Sequence, residues 1–156
     1  RPKTILEIGT YTGYSAICLA DGLDKDGILH TIDNNEELYE RAGSYFEKAG
    51  FKNKIIQHLG NAKDIIPDIK CQFDLIFIDA DKQSYSVYFD LIINKLKVGG
   101  FIIADNVLWS GRVTEKNKDF DTKAIDRFNK KILADNRVEV VIMPIRDGIS
   151  VIRKMS

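Results

Sequence analysis

A short apolar run that breaks into a glycine turn constrains this chain more than any other stretch of it. Ile5, Leu6 and Ile8 read as a strand buried on both faces of a parallel sheet. Gly9 and Gly13 open a tight turn, and Ser15-Ala-Ile-Cys-Leu-Ala starts a helical pattern. Strand, glycine turn and helix N-terminus together make a ligand cradle at the C-terminal edge of a doubly wound sheet. The spacing is E-x-G-x-x-x-G, with Glu7 two residues before Gly9. It differs from the G-x-G-x-x-G turn that receives a dinucleotide pyrophosphate.

The rest of the chain repeats the same alternation. Helical patterns over Tyr14–Leu23, Leu38–Ala49, Ser84–Leu96 and Phe120–Ala134 separate apolar strands at 28–32, 55–59, 73–78 and 98–104. A short helix ends near Pro67. Strands at 138–143 and 149–152 are joined by Pro144-Ile145-Arg146-Asp147-Gly148, too short for a crossover helix, so they should pair antiparallel. The expected fold is α/β and doubly wound, a single domain over 1–156 with seven mostly parallel strands ending in an antiparallel hairpin.

Charge and hydropathy narrow the function. Lys plus Arg number 23 and Asp plus Glu 23, for a net charge of zero. A neutral chain is a poor phosphate-backbone binder, so a nucleic-acid partner is not expected. No apolar run approaches the ~20 residues that cross a membrane, and no leader pattern is visible. Cys18 and Cys71 sit in or beside apolar segments and are expected as buried thiols of a cytoplasmic protein. His30 and His58 lie inside strands with no second ligand at metal spacing, which reads as structural.

The candidate chemistry gathers at strand ends. Asp33 follows the second strand, where doubly wound nucleotide folds place the acid that takes ribose hydroxyls. Asp33-Asn34-Asn35 before Glu36 and Glu37 would also cap a helix. Gly60-Asn61-Ala62-Lys63-Asp64 leaves room beside a nucleoside base, and Asp64 could equally cap the short helix. Asp79-Ala80-Asp81-Lys82 ends the most apolar strand, and Asp105-Asn106 ends the next. Asp79, Asp105 and Asn106 offer oxygen alone, which suits a hard divalent cation and not Zn²⁺. Neighbouring strand residues point to opposite faces, so Asp105 and Asn106 share one ion only if the chain turns there. The alternative is that Asp79 and Asp81 cap a helix and Asp105-Asn106 is an ordinary turn.

Leu6-Glu7-Ile8-Gly9-Thr10-Tyr11-Thr12-Gly13-Tyr14-Ser15, Ile78-Asp79-Ala80-Asp81-Lys82 and Asp105-Asn106-Val107-Leu108-Trp109 resemble the cation-dependent O-methyltransferases, the family of the caffeoyl-CoA and catechol enzymes. The resemblance runs from Ile5 to Arg153 with the motifs in the same order. It implies S-adenosyl-L-methionine as cofactor, held by Glu7, Gly9, Thr10, Ser15 and Asp33, with Ala62 beside the adenine and Tyr11 near the sulfonium. It implies a divalent cation, Mg²⁺ first with Mn²⁺ or Ca²⁺ as substitutes, on Asp79, Asp105 and Asn106. Asp79 would also face the cofactor, Asp81 would contact its methionine end, and Lys82 would be the general base. A lysine base has to be neutral, which burial and a nearby cation promote. Trp109 would wall the acceptor site with Ser110, where plant caffeoyl-CoA enzymes usually carry Asn. The implied acceptor is a vicinal diphenol and the implied assembly a homodimer. Family members also carry N-terminal helices not seen in this sequence.

Three other readings compete. A nicotinamide oxidoreductase needs a tighter glycine spacing. An RNA methyltransferase needs a basic face. A cofactor-binding protein with another acceptor, or with its chemistry lost, differs from an enzyme by turnover alone.

Overall fold

In the computed structural model, which describes residues 1–156, one seven-stranded sheet runs through the molecule in the order β3-β2-β1-β4-β5-β7-β6. The strands are β1 (Thr4–Ile8), β2 (Ile28–Asp33), β3 (Ile55–Leu59), β4 (Phe73–Ile78), β5 (Leu96–Asp105), β6 (Val138–Met143) and β7 (Ile149–Lys154). The first five are parallel, and β7 pairs antiparallel with both β5 and β6, as the short connection requires. The helices are α1 (Tyr14–Asp21), α2 (Glu36–Lys48), α3 (Ala62–Asp68), α4 (Tyr85–Ile92) and α5 (Phe120–Ala134). None is long and apolar enough to cross a membrane.

Two apolar layers hold the sheet between helices. On one face Ile5, Leu29 and Ile55 pack with Ala16 and Ala20 of α1 and Ala42 and Phe46 of α2. On the other, Leu6, Ile76, Ile102 and Ile152 pack under Ile66 of α3, Phe89 of α4 and Phe128 of α5. Alternate residues of each strand feed opposite layers, so the strands read as continuous apolar runs. The first layer thins toward β6, where Phe101, Val141 and Met143 are exposed.

Three details depart from the sequence reading. The crossover helix expected over Ser84–Leu96 is a 3₁₀ turn at Lys82–Ser84 followed by α4, which ends at Ile92. β5 starts two residues before Val98, at Leu96, because Leu96 already pairs with Phe73. Cys18 is exposed and Cys71 only partly buried, against the expected burial of both. α1 buries Ala16 and Ala20, one turn apart, and Cys18 midway between them points outward.

Candidate active site

The C-terminal ends of β1, β2, β3, β4 and β5 surround a cavity of about 830 Å³. Gly9, Thr10, Tyr11 and Ser15 line it from the β1–α1 turn, Asp33 from β2, Ala62 from α3, and Asp79, Asp81 and Asp105 from β4 and β5. Ligands of open α/β sheets bind at this edge because the strand order reverses there. The turn approaches closely because Gly9 has no side chain. A Cβ on it would lie 2.0 Å from the carbonyl oxygen of Asp79, and its φ of 103° suits glycine.

Asp33 serves both the loop and the cavity. Its Oδ2 accepts from the Tyr11 amide at 2.7 Å and its Oδ1 from the Asn35 amide at 2.9 Å. The cap of α2 is Asn35, whose side chain accepts from Glu37, so the capping role suggested for Asp33 falls to its neighbour. Asn61 caps α3, and Asp64 sits in its first turn. Asp81 does cap, accepting from the Ser84 amide at 3.0 Å, while its other oxygen accepts from the Tyr88 hydroxyl at 2.6 Å. That hydroxyl is pushed well above the ordinary tyrosine range, by burial first and then by Asp81. Tyr11, with φ 48°, is 71% exposed at the mouth.

Glu7 lies behind the wall. It is fully buried, does not line the cavity, and its Oε2 accepts from the Thr31 hydroxyl at 2.5 Å. Thr31 in turn shares a 2.5 Å hydrogen bond with the Thr10 hydroxyl, so Glu7 reaches the cofactor loop through two threonines. Its Oε1 has no partner among the protein atoms. Burial pushes the carboxyl up to about 7, outweighing the nearby Ser15 and Thr31 hydroxyls, and Asp79 and Asp33 add to the rise. A raised acid contributes stability that is complete below about pH 4.5 and is lost as pH rises through about 7. Glu7→Gln should therefore gain about 3 kcal/mol relative to wild type between pH 4.5 and 8. Urea melts of both proteins across that window check this, and a pH-independent difference would refute it.

The oxygens of β4 and β5 converge on one ammonium group. Lys82 Nζ donates to Asp79 Oδ1 at 2.9 Å, Asn106 Oδ1 at 2.9 Å and the Tyr85 hydroxyl at 2.7 Å. The turn needed for Asp105 and Asn106 to face one point is present, since β5 stops at Asp105 and Asn106 takes φ 59°. Asp105 Oδ1 accepts from the Asn106 amide at 2.7 Å, while the residue lines the cavity. No three His, Cys, Asp or Glu side chains gather at one point in this fold. A hard cation here would rest on two carboxylates and an amide. Trp109 and Ser110 lie on the loop after β5, outside the cavity wall. His30 and His58 do not line the cavity and share a 3.0 Å hydrogen bond between β2 and β3, a pairing their sequence spacing hid.

A family model described as O-methyltransferase matches residues 1–155. The chain belongs to this O-methyltransferase family. It is 36% identical to caffeoyl-CoA O-methyltransferase 1 of Arabidopsis thaliana, over 99% of this chain and 64% of that protein. It thus spans just under two thirds of that relative's length. Two solved O-methyltransferases superpose closely. The Bacillus cereus enzyme in complex with SAH is 33% identical, with TM-score 0.93, over 98% of this chain and 74% of that one. TomG of Streptomyces achromogenes, in complex with SAM, is 30% identical, with TM-score 0.93, over 99% and 74%.

For an O-methyltransferase, the residues at the sheet edge fit the cofactor, and two of the three expected cation ligands meet at one point. The close approach of Gly9 to Asp79 leaves the cavity floor to backbone, with carboxylates at Asp33 and Asp81 to meet hydroxyls and an ammonium. The Lys82 ammonium is held by two of the three expected oxygen ligands, Asp79 and Asn106. Sequence reasoning missed Tyr85 and Tyr88. Tyr85 is fully buried, and its hydroxyl lies 3.2 Å from the Ile78 carbonyl and 3.0 Å from the Asp105 carbonyl, tying β4 to β5 under Lys82. The signal was available: two tyrosines three apart, just after Asp81-Lys82, share one helix face.

Proposed function

We propose that the protein transfers a methyl group from S-adenosyl-L-methionine to one hydroxyl of a vicinal diphenol, with a divalent cation, Mg²⁺ first, at Asp79, Asp105 and Asn106. The observation that carries this reading is the convergence of Asp79 and Asn106 oxygens on one positive charge beside the cofactor cavity. The cofactor supplies the methyl group, and the cation supplies Lewis acidity toward the acceptor oxygens. Asp33 and Asp81 hold the two ends of the cofactor, and Tyr88 orients Asp81. Lys82 accepts the hydroxyl proton, steered by Tyr85 and Asp79. Trp109 and Ser110 wall the acceptor. The contribution of the protein is mainly the alignment of two bound reactants.

The expected partners are a small phenolic molecule and a second copy of the chain, with no nucleic acid. The apolar residues exposed over β5 and β6 support an assembly that covers them. The test is methyl transfer to a panel of catechols and caffeoyl esters with Mg²⁺, and again with a chelator. Transfer that the chelator abolishes and Mg²⁺ restores is the expected outcome. Bound cofactor with no transfer to any diphenol would favour the alternative, a methyltransferase-like protein with another acceptor or a lost activity.

A further inference from the structure

The loop after β5 holds an unusual backbone. Asn106, Trp109 and Ser110 take φ of 59°, 48° and 54°, and Gly111 takes 78°. A non-glycine residue in this left-handed region is strained, and persists where surrounding contacts impose it. Those contacts come from a distant segment, the connection between β6 and β7. The Val107 amide donates to the Gly148 carbonyl at 3.1 Å, and the Leu108 amide to the Asp147 carbonyl at 2.9 Å. The Ser110 amide donates to the Asp147 carboxylate. Gly148 lets the two segments touch, since a Cβ there would lie 2.3 Å from Leu108 Cγ. From the other side, Asn129 of α5 donates to the Val107 carbonyl at 2.8 Å.

The backbone bonds of Val107 and Leu108 fix the start of the loop. They leave Trp109 and Ser110, whose one tie to the hairpin is the side chain of Asp147. We propose that Asp147 is a positioning residue for the acceptor: its carboxylate, by accepting from the Ser110 amide, holds the Trp109–Ser110 turn left-handed and so sets the wall against which the acceptor ring lies. The acceptor part of this inference rests on the function proposed above. The positioning part does not, because Trp109 is the single tryptophan of the chain and reports on its own loop.

The experiment compares wild type, Asp147→Ala and Asp147→Asn by Trp109 emission and anisotropy, by cofactor titration, and by KM and kcat with catechol. Asparagine keeps an oxygen that accepts from the Ser110 amide, whereas alanine removes it. In Asp147→Ala, Trp109 anisotropy should fall and the acceptor KM should rise about tenfold, the size of one lost hydrogen bond. Cofactor affinity should stay unchanged, and kcat should change less than KM. Asp147→Asn should restore both the anisotropy and the KM. Wild-type anisotropy in Asp147→Ala, or equal loss in both variants, would overturn the positioning role. A mobile Trp109 with an unchanged KM would overturn the acceptor role. If wild type itself transfers nothing to catechol, the function reading fails, and the fluorescence comparison still decides the Asp147 contact.

Discussion

Gly9→Ala should destabilise the protein by roughly 3 to 5 kcal/mol and lower its melting temperature by about 10 °C. Two costs combine at this position. Alanine at φ 103° is strained, and its Cβ would meet the Asp79 carbonyl at 2.0 Å. The clash is with backbone and cannot be relieved by a rotamer change, so the end of β1 must move away from the end of β4. Gly99→Ala separates the two costs. Gly99 has φ 81° with nothing within 4 Å of a Cβ, so that variant should lose only about 1 kcal/mol. Calorimetry of both variants checks this, and equal losses would rule out the close approach as the reason for glycine. Because Asp79 follows the displaced backbone, Gly9→Ala should also lose methyl transfer in whatever fraction remains folded.

Lys82→Ala should lower kcat by roughly 10² to 10⁴, the range for removal of a general base, with cofactor affinity unchanged. Lys82 itself does not line the cofactor cavity, so its loss touches that wall only through Asp79. The side chain is only 10% exposed and sits among Asp79, Asn106 and Tyr85, so a purely electrostatic role is the competing explanation. Lys82→Arg tests this directly. Arginine keeps the positive charge and cannot act as a base near neutral pH. Loss of turnover in both variants supports proton transfer. Near-normal turnover in Lys82→Arg would leave Lys82 as a charge that orders the strand ends, and full turnover in Lys82→Ala would remove it from the chemistry.

Much of this site is legible in the sequence because its parts are local. A glycine turn after an apolar run, an acid just past the next strand, and Asp79, Asp81 and Lys82 at the end of another each depend on a few consecutive residues. The hydrophobic period places those segments on strands, and the connection lengths dictate that five strands run parallel and the last hairpin antiparallel. The resemblance of the motifs then supplies roles that pattern alone leaves open, as at Lys82.

The readings that failed or stayed silent concern contacts between segments far apart in the chain. Cys18 lies in an apolar stretch, but its exposure depends on which face of α1 meets β1 and β2. Glu7 sits beside the glycine turn in sequence and behind it in space, because strand alternation turns it to the face where Thr31 of β2 is its register partner. Periodicity and local turns set the order of elements and the edge of the sheet where chemistry gathers. No local pattern shows that Lys82 bridges Asp79 and Asn106, that Tyr85 underlies them, or that Asp147 reaches Ser110. Those contacts exist because β4, β5 and β7 lie side by side, and that adjacency is set by the packing of the whole sheet.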